Sequence, residues 1–245
     1  MLKNWRQLLK WPLAQLLPNH CYLCGAPSNE FLCSGCAEDL PTASRGCHCC
    51  ALPLASAAVS SDSPSSAGAR EWLCGECLSE PKPFATTVAA FTYSHPIDFL
   101  INRFKHQRHF RCGEHLSEHL TPLIRDRYRH LPDVLLPVPL HWTRSWTRGF
   151  NQCDVIAQHL HRQLQIPVLH CCRRLKRNPR QQGLKRKVRL RNLRRAFAVC
   201  GDVTGKHIAV IDDVMTTGAT VTELARCLLK AGATQVDIWV LARVA

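Results

Sequence analysis

The sequence predicts an α/β domain with a mainly parallel sheet, preceded by a small cysteine-rich segment that binds metal ions. From Thr86 onward, β-prone and helical segments alternate, as they do where parallel strands are joined by helices. Before that point, four CxxC pairs lie between residues 21 and 77, and paired CxxC turns are typical of structural zinc sites. The apolar fraction of 46% is ordinary for a globular protein, so a sizeable core can form.

Composition shifts divide the chain of 245 residues into three expected parts. Residues 1–18 form a basic amphipathic segment, 19–82 a double zinc ribbon, and 83–245 the α/β domain, with prolines near 81–83 at the boundary. Within the ribbon, residues 55–69 are rich in Ser and Ala and are expected to form a flexible insertion. Long surface loops add little closure entropy, so the cysteines on either side of it can still meet.

The chain is strongly basic, with 32 Lys and Arg against 18 Asp and Glu and a formal charge of +14. This surplus favours an anionic partner such as nucleic acid, nucleotides or phospholipid, although solubility alone is an alternative. No run approaches the roughly 20 apolar residues of a spanning helix, which argues against an integral membrane protein. Fifteen cysteines without a predicted secretion signal indicate metal ligation in a reducing cytoplasm rather than disulfides.

The N-terminal segment mixes basic and apolar residues. Lys10 interrupts its apolar run and no small-residue cleavage site follows, so we do not predict a signal peptide. A basic amphipathic helix of this kind could lie on a membrane or on a partner's surface, but we favour a short helix that packs on its own domain. Pro12 would kink it in either case.

Periodicity and breaker residues place the elements of the α/β domain. Strands are predicted over residues 87–93, 133–138, 206–212 and 235–242, and helices over 96–104, 113–129, 151–164 and 219–231. The apolar run at 208–211 suits a central parallel strand, and it stops at Asp212 and Asp213. We therefore expect the functional residues to follow this strand.

Eight of the fifteen cysteines are the predicted zinc ligands: Cys21, Cys24, Cys33, Cys36, Cys47, Cys50, Cys74 and Cys77. A CxxC turn aims two thiolates at one point, and two such turns complete a tetrahedral shell. Grouping the pairs in sequence order closes the shorter loops, so we favour it over an interleaved arrangement. Four thiolates leave no open position on the ion, which indicates a structural role. A disulfide framework is the main competing interpretation.

The segment after the predicted strand has the features of a phosphate-binding loop. Ligands of open α/β sheets bind at the carboxyl ends of strands, and this loop runs directly into a helix. Backbone N–H groups at the helix start, several hydroxyls and a glycine that admits close approach would converge on an anion. The residues of the loop are Thr216, Thr217, Gly218, Ala219 and Thr220.

The loop contains neither the GxxxxGK[ST] nor the GxGxxG pattern. Two adjacent acids before a Thr/Gly loop suit a ligand whose vicinal hydroxyls lie beside a phosphate, such as a ribose 5-phosphate. In the alternative interpretation, Asp212 and Asp213 are only strand-end and helix-capping residues.

Residues 208–220, an apolar strand followed by Asp-Asp-Val-Met-Thr-Thr-Gly-Ala-Thr, resemble the phosphoribosyl pyrophosphate (PRPP) motif of type I phosphoribosyltransferases. Nearly the whole chain further resembles the ComF family, which includes the GntX-type proteins. The shared layout comprises the cysteine-rich start and the segments 137–141 (PVPLH), 148–152 (RGFNQ), 182–184 (QGL), 189–193 (RLRNL) and 196–197 (AF). The resemblance implies a type I phosphoribosyltransferase-like fold with an N-terminal double zinc ribbon.

The resemblance also implies roles for individual residues. Asp212 and Asp213 would hold the ribose hydroxyls, and would be the catalytic acids if transfer occurs, while residues 216–220 would hold the 5-phosphate. The loop at 138–151 would bind pyrophosphate and Mg²⁺, with Arg144 and Arg148 as cations, since a forked guanidinium matches phosphate oxygens. The alternative places these two arginines on a solvated helix face.

Residues 171–206 form a basic segment with thirteen Lys and Arg and a single acid. By resemblance, this segment is a hood that closes over the ligand, in which Lys185, Arg186 and Arg189 supply cations to the leaving pyrophosphate. It could instead follow a nucleic-acid backbone, because such binding depends on clustered positive charge.

Further basic and aromatic residues extend the second interpretation. The basic ones are His106, Arg108, His109 and Arg111, and the aromatic ones are Trp142, Trp146 and Phe150. A positive groove with stacking faces is what single-stranded DNA requires, whereas packing against helices is the alternative use of the aromatics. No motif that reads base sequence is present, so we expect any DNA binding to be unspecific.

ComF-family resemblance implies cytoplasmic handling of single-stranded DNA, in natural transformation or in the use of DNA as a nutrient. A helicase or recombination protein would then be a partner. Three hypotheses from different classes remain open. The protein is a PRPP-dependent nucleobase transferase, a DNA-binding competence factor without turnover, or a PRPP-sensing regulator.

Overall fold

The computed structural model describes residues 19–43, 46–54, 72–140, 149–175 and 196–245. The chain forms two compact units, Met1–Leu40 and Pro41–Ala245. The predicted N-terminal segment 1–18 and the predicted flexible insertion 55–69 lie outside the described residues. The domain limits at 18 and 82 stay predictions.

The described part of the smaller unit, residues 19–40, has few apolar side chains with which to build a core. Its described part contains one short helix, α1 (Ser34–Glu38), and a bridge between His20 and Pro27. The rings of Tyr22 and Phe31 stack with centroids 5.0 Å apart. A segment of this size needs a cross-link or a metal ion to fold, because the apolar area it buries is too small to offset its conformational entropy.

The larger unit alternates strands and helices, as the sequence predicts. Its described elements are α2 (Gly75–Ser79), β1 (Thr87–Thr92), α3 (Ile97–Gln107), α4 (Phe110–Glu118), α5 (Leu120–Arg127), β2 (Val134–Pro137), α6 (Gln152–Leu164), β3 (Cys172–Arg174), β4 (Phe197–Val199), β5 (His207–Met215), α7 (Ala219–Lys230) and β6 (Gln235–Arg243). Among the described residues, no helix is long and apolar enough to cross a membrane.

Four of the strands form a parallel sheet in the order β1-β6-β5-β2. The strand β5 lies inside this sheet, with β2 along one edge and β6 along the other. The short strands β3 and β4 pair antiparallel and form a separate ladder. The predicted mainly parallel α/β architecture is confirmed.

Helices cover the sheet, and the core lies between them. Ile208 and Val210 of β5 belong to one buried cluster with Leu224 and Leu228 of α7. The intervening residue Ala209 points to the opposite face, because side chains alternate along a strand, and it is equally buried. Burial on both faces explains why this strand reads as a continuous apolar run.

Three predicted elements differ from the observed ones. The predicted helix at 96–104 continues to Gln107 and ends where Arg108 adopts a φ of +56°. The predicted helix at 113–129 is two helices that meet at His119. Pro122 lies in the first turn of the second helix, where its missing N–H is tolerated, but it would clash with a continuous helix before it. The predicted strand at 206–212 continues to Met215, because β6 is long enough to pair with it up to Arg243.

Helices α3 and α4 approach closely at a glycine. A Cβ atom on Gly113 would lie 2.6 Å from the ring of Phe104, and that ring is fully buried. The next residue along α3, Lys105, contacts the acidic pair described below. The contact between Gly113 and Phe104 therefore fixes the helix that carries this lysine.

We expect the substitution Gly113→Ala to lower the free energy of unfolding by about 1–2 kcal/mol. Alanine is favoured over glycine inside a helix by about 1 kcal/mol, but overpacking a full core costs about 1–3 kcal/mol and wins here. Urea unfolding of the zinc-loaded protein measures the change. Gly75→Ala is the matched control, since nothing lies within 4 Å of an added Cβ there, and it should be neutral. Equal stability of Gly113→Ala and the parent would contradict the packing argument.

Candidate functional site

The acidic pair lies near the carboxyl end of the interior strand β5. Asp213 is buried, and its Oδ2 lies 2.9 Å from Nζ of Lys105 on α3. Asp212 is half-buried, and its Oδ1 accepts hydrogen bonds from the Asp213 N–H at 2.9 Å and from the thiol of Cys153 on α6 at 3.4 Å. Three elements, β5, α3 and α6, therefore supply the side chains around the pair.

Two neighbouring carboxylates in a partly dry site disfavour each other's charge. Burial, followed by the charge of Asp213, raises the pKa of Asp212 to about 7. Burial also raises the pKa of the Cys153 thiol, and the two carboxylates add to this effect. Cys153 therefore stays a thiol and donates a hydrogen bond to Asp212. The site favours a ligand or cation that compensates a second negative charge.

The loop after β5 has the backbone expected for an anion site. Gly218 has a φ of +70° and caps the start of α7, a conformation that favours glycine. The hydroxyl of Thr217 accepts a hydrogen bond from the Ala219 N–H at 3.4 Å. Thr216 is exposed, and Thr217 and Thr220 are half-buried, so their hydroxyls lie at the surface beside the helix start.

The loop predicted to bind pyrophosphate begins and ends beside the acidic pair. At its start, the Val138 N–H donates to the Ile211 carbonyl at 2.9 Å. At its end, Asn151 caps α6 by accepting from the Cys153 N–H at 3.1 Å, and its Nδ2 donates to the Val138 carbonyl at 3.1 Å. Asn151 therefore holds the two ends of the loop together next to Asp212.

Several predicted site residues lie outside the described residues. These are Arg144 and Arg148 of the predicted pyrophosphate loop, Lys185, Arg186 and Arg189 of the basic segment, and the aromatics Trp142 and Trp146. Their assigned roles stay predictions. The described residues Asp212, Asp213 and 216–220 are brought together at one end of β5.

The sequence did not identify three residues of this site. Lys105 follows Ile101 by one helical turn, so it lies beside the buried face of α3, and this spacing is a usable signal. Asn151 precedes a predicted helix and is a preferred capping residue. Cys153 lies outside the CxxC pairs, and nothing in the sequence marks its contact with Asp212.

The eight predicted zinc ligands form two groups of four. Cys21, Cys24, Cys33 and Cys36 make one group, and Cys47, Cys50, Cys74 and Cys77 make the other, with all ligand atoms of a group within 4.8 Å of one another. Sulfurs of Cys24 and Cys33 are 3.7 Å apart, and those of Cys50 and Cys74 are 3.6 Å apart. A tetrahedron with Zn–S bonds of about 2.3 Å has sulfurs about 3.8 Å apart, so both groups fit structural zinc.

The second group is fastened to the edge of the sheet. The hydroxyl of Thr86 donates to the His48 carbonyl at 2.9 Å, and the hydroxyl of Thr87 donates to the Cys49 carbonyl at 2.6 Å. Both carbonyls belong to the turn between Cys47 and Cys50. This metal group therefore forms part of the larger unit rather than a separate appendage.

Comparison with known proteins agrees with this description. Residues 151–245 match the phosphoribosyl transferase domain family, and residues 13–78 match the double zinc ribbon domain family. The DNA utilization protein YhgH of Escherichia coli O157:H7 is 35% identical over 240 residues, which cover 93% of this chain and 98% of that protein. Competence protein F of Haemophilus influenzae is 37% identical over 178 residues, covering 69% and 78%.

Among solved structures, the glutamine PRPP amidotransferase from B. subtilis, complexed with ADP and GMP, superimposes with a TM-score of 0.37 at 19% identity. The match covers 53% of this chain and 26% of that one, so the chain spans about a quarter of its length.

The raised pKa of Asp212 predicts a change of stability with pH. The folded state holds a proton that the unfolded state, with its carboxyl pKa near 3.8, has already released. The stability contributed by this proton is therefore lost as the pH rises through about 7. Asp212→Asn mimics the protonated form. The difference in free energy of unfolding between this variant and the parent should therefore be about 1 kcal/mol more favourable to the variant at about pH 8 than at about pH 6.

The neighbouring variant supplies the contrast. Asp213→Asn leaves Lys105 without its carboxylate, so it should destabilise the protein by about 2 kcal/mol near pH 6, less than a fully buried pair because Lys105 is partly exposed. Near pH 8 the loss should be smaller, because removing the charge of Asp213 also relieves its repulsion with ionised Asp212. Thermal unfolding of the zinc-loaded proteins without ligand measures both effects. A pH-independent effect of Asp212→Asn would contradict the electrostatic description of the pair.

Proposed function

This chain belongs to the ComF family of DNA-utilization and competence proteins, and from that premise we propose that it binds PRPP with Mg²⁺ and takes part in cytoplasmic handling of single-stranded DNA. Natural transformation and the use of DNA as a nutrient are the processes that this handling would serve. The observation that carries the proposal is the placement of an acidic pair and a phosphate-type loop together at the carboxyl end of β5.

The ribose phosphate of PRPP fits the chemistry of this end of the sheet. Carboxylates accept hydrogen bonds from vicinal hydroxyls, and Asp212 and Asp213 are adjacent acceptors. The hydroxyls and N–H groups of residues 216–220 would hold the 5-phosphate at the start of α7. Lys105 would hold Asp213 in place, because its Nζ lies 2.9 Å from Oδ2 of this carboxylate.

The pyrophosphate of PRPP would lie toward the loop at 138–151. Arg144 and Arg148 would supply its cations, and Lys185, Arg186 and Arg189 would approach from the basic segment. Mg²⁺ would neutralise charge on the pyrophosphate, since it prefers phosphate and carboxylate oxygens. Arg108 supports this assignment, because its guanidinium lies so close to Gly149 that an added Cβ would be 2.5 Å from Nη2.

A surface next to this loop suits single-stranded DNA. Phe110 at the start of α4 is 42% exposed and meets the ring of Phe150 edge-on, with centroids 5.0 Å apart. Exposed Arg108 and Arg111 flank it. An aromatic face among cations can stack a base while the cations contact phosphates. A helicase or recombination protein, and the inner membrane, would be the partners of this activity.

We expect calorimetry of the zinc-loaded protein to show PRPP binding that requires Mg²⁺. Replacing Asp212 and Asp213 together by Asn should weaken it about a hundredfold, because two charge-assisted hydrogen bonds contribute about 1.5 kcal/mol or more each. Asp126→Asn is the matched control, since this acid is exposed on α5 and outside the site, and it should leave binding unchanged. Binding that survives the double substitution would contradict the assigned ribose site.

We expect single-stranded DNA to bind with a steep dependence on salt. Phe110→Ala should weaken DNA binding about tenfold, because stacking contributes about 1–3 kcal/mol per base. Leu123→Ala is the control, since Leu123 on α5 is 43% exposed and also apolar. Equal loss in both variants, measured by fluorescence anisotropy, would show that Phe110 has no specific part.

Calorimetric titration of the zinc-loaded protein with PRPP and Mg²⁺, repeated with single-stranded DNA present, separates the proposal from its alternatives. Release of pyrophosphate with a nucleobase would indicate a salvage transferase. A change in DNA affinity on adding PRPP, without product, would indicate a PRPP-sensing regulator. PRPP and DNA binding without mutual effect and without turnover would leave a DNA-handling factor in which the two sites act separately.

A further inference from the structure

A buried arginine joins the second cysteine group to the phosphate-type loop. Arg243 is the last residue of β6 and is buried. Its Nε donates to the Cys50 carbonyl at 2.9 Å, and its Nη1 donates to the carbonyls of Met215 at 3.1 Å and Thr216 at 2.5 Å. Nη1 also contacts the Val244 carbonyl. One guanidinium thus holds a ligand-bearing turn and the start of the loop.

These bonds determine which way the loop amides point. In a planar trans peptide, the C=O of one residue and the N–H of the next point in opposite directions. Holding the carbonyls of Met215 and Thr216 toward Arg243 therefore turns the N–H groups of Thr216 and Thr217 away from it. Among the described residues, these two N–H groups donate no main-chain hydrogen bond of the kind found in turns, loops and caps. Consecutive amides that face one side form a site for an anion.

The hydrogen bond from Nε of Arg243 to the Cys50 carbonyl depends on the shape of the turn between Cys47 and Cys50. The Ala51 N–H closes this turn on the Cys47 carbonyl at 2.7 Å, and Ala51 adopts a φ of +54°. The four thiolates of this group repel one another, and a metal ion would hold them together. Four thiolates with a divalent ion carry a formal charge of about −2, so a guanidinium bonded to this turn is also favoured electrostatically.

We propose that Arg243 is a positioning residue that couples the Cys47, Cys50, Cys74 and Cys77 metal group to the loop at 216–218. The four thiolates, held together by a zinc ion, would fix the turn that carries the Cys50 carbonyl. Arg243 hydrogen-bonds this carbonyl and the loop carbonyls together, and so keeps the loop amides directed at the anion. The buried cluster that contains Cys50 also contains Met215 and Ala219, which adds a packing contact to the polar one. The identity of the anion as the 5-phosphate of PRPP rests on the proposed function.

Coupling between two sites is reciprocal, so a bound ligand should slow the loss of metal. The first cysteine group provides an internal control, because it belongs to the other compact unit and Arg243 makes no contact with it among its described bonds. Zinc release from the full chain into a colorimetric chelator should therefore show a phase that PRPP with Mg²⁺ slows and a phase that it does not.

Three proteins make this test specific: the parent, Arg243→Gln, and the double variant Cys24→Ser with Cys33→Ser, which retains only the second group. PRPP should slow the remaining phase of the double variant about tenfold, as it slows one phase of the parent. Arg243→Gln should bind both zinc ions and lose this protection. If Arg243→Gln does not fold, Arg243→Lys is measured instead. It should also lose the protection, because one ammonium cannot bond the carbonyls of Cys50 and Thr216 together as a guanidinium does.

The outcomes separate this inference from the proposed function. If calorimetry shows PRPP binding to the parent but zinc release is unaffected, or is slowed equally in Arg243→Gln, the coupling is wrong. If PRPP does not bind the parent, the proposed function is wrong, and hydrogen exchange then decides the coupling without any ligand. Faster exchange of the amides at 216–218 in Arg243→Gln or after chelation supports it, and unchanged exchange overturns it.

Discussion

The parallel pairing of β5 along both of its edges is the constraint on which the rest of this structure depends. Because β2 and β6 hold it on either side, the strand cannot shift or twist away from the sheet without breaking two ladders. The acidic pair and the loop that follows inherit this fixed position. Residues from α3, α6 and β6 then meet at that end, each carried by an element that packs on the same sheet.

A cost accompanies this arrangement. Two adjacent carboxyl groups near the end of a buried strand repel each other and lose hydration, and the raised pKa of Asp212 expresses that cost. Lys105 compensates one of the two charges, and the thiol of Cys153 donates a weak hydrogen bond to the other acid. A ligand that supplies positive charge or hydroxyl donors would offset the remaining part of that cost.

The two cysteine groups differ in what surrounds them. The described residues around the first, 19–40, bury few apolar side chains, so a metal ion would supply most of the cross-linking there. The second shares a buried cluster with β5, β6 and α7, and its turn is hydrogen-bonded to Thr86, Thr87 and Arg243. Chemically similar ligand sets therefore have different neighbours, and Arg243 joins the turn of the second to the start of the phosphate-type loop.

The sequence by itself determined the fold class, the two zinc ribbons and the loop at 216–220, because these depend on local spacing. A CxxC turn, an apolar run that ends in two acids, and a glycine before a helix are each written within a few consecutive residues. The sequence misplaced the end of β5, because strand length is decided by the partner β6 rather than by the strand's own residues, and it merged α4 with α5.

Only the tertiary structure decided which distant side chains complete the site. Lys105, Cys153 and Arg243 lie far from the loop in the chain and are unremarkable in their own segments. Their contacts arise because parallel strands joined by helices bring the carboxyl ends of successive strands to one edge of the sheet. Sequence periodicity is local and does not predict which distant residues become neighbours there. The acidic pair and its loop were therefore legible in the sequence, whereas the groups that set their charge and orientation became identifiable only once the sheet was assembled.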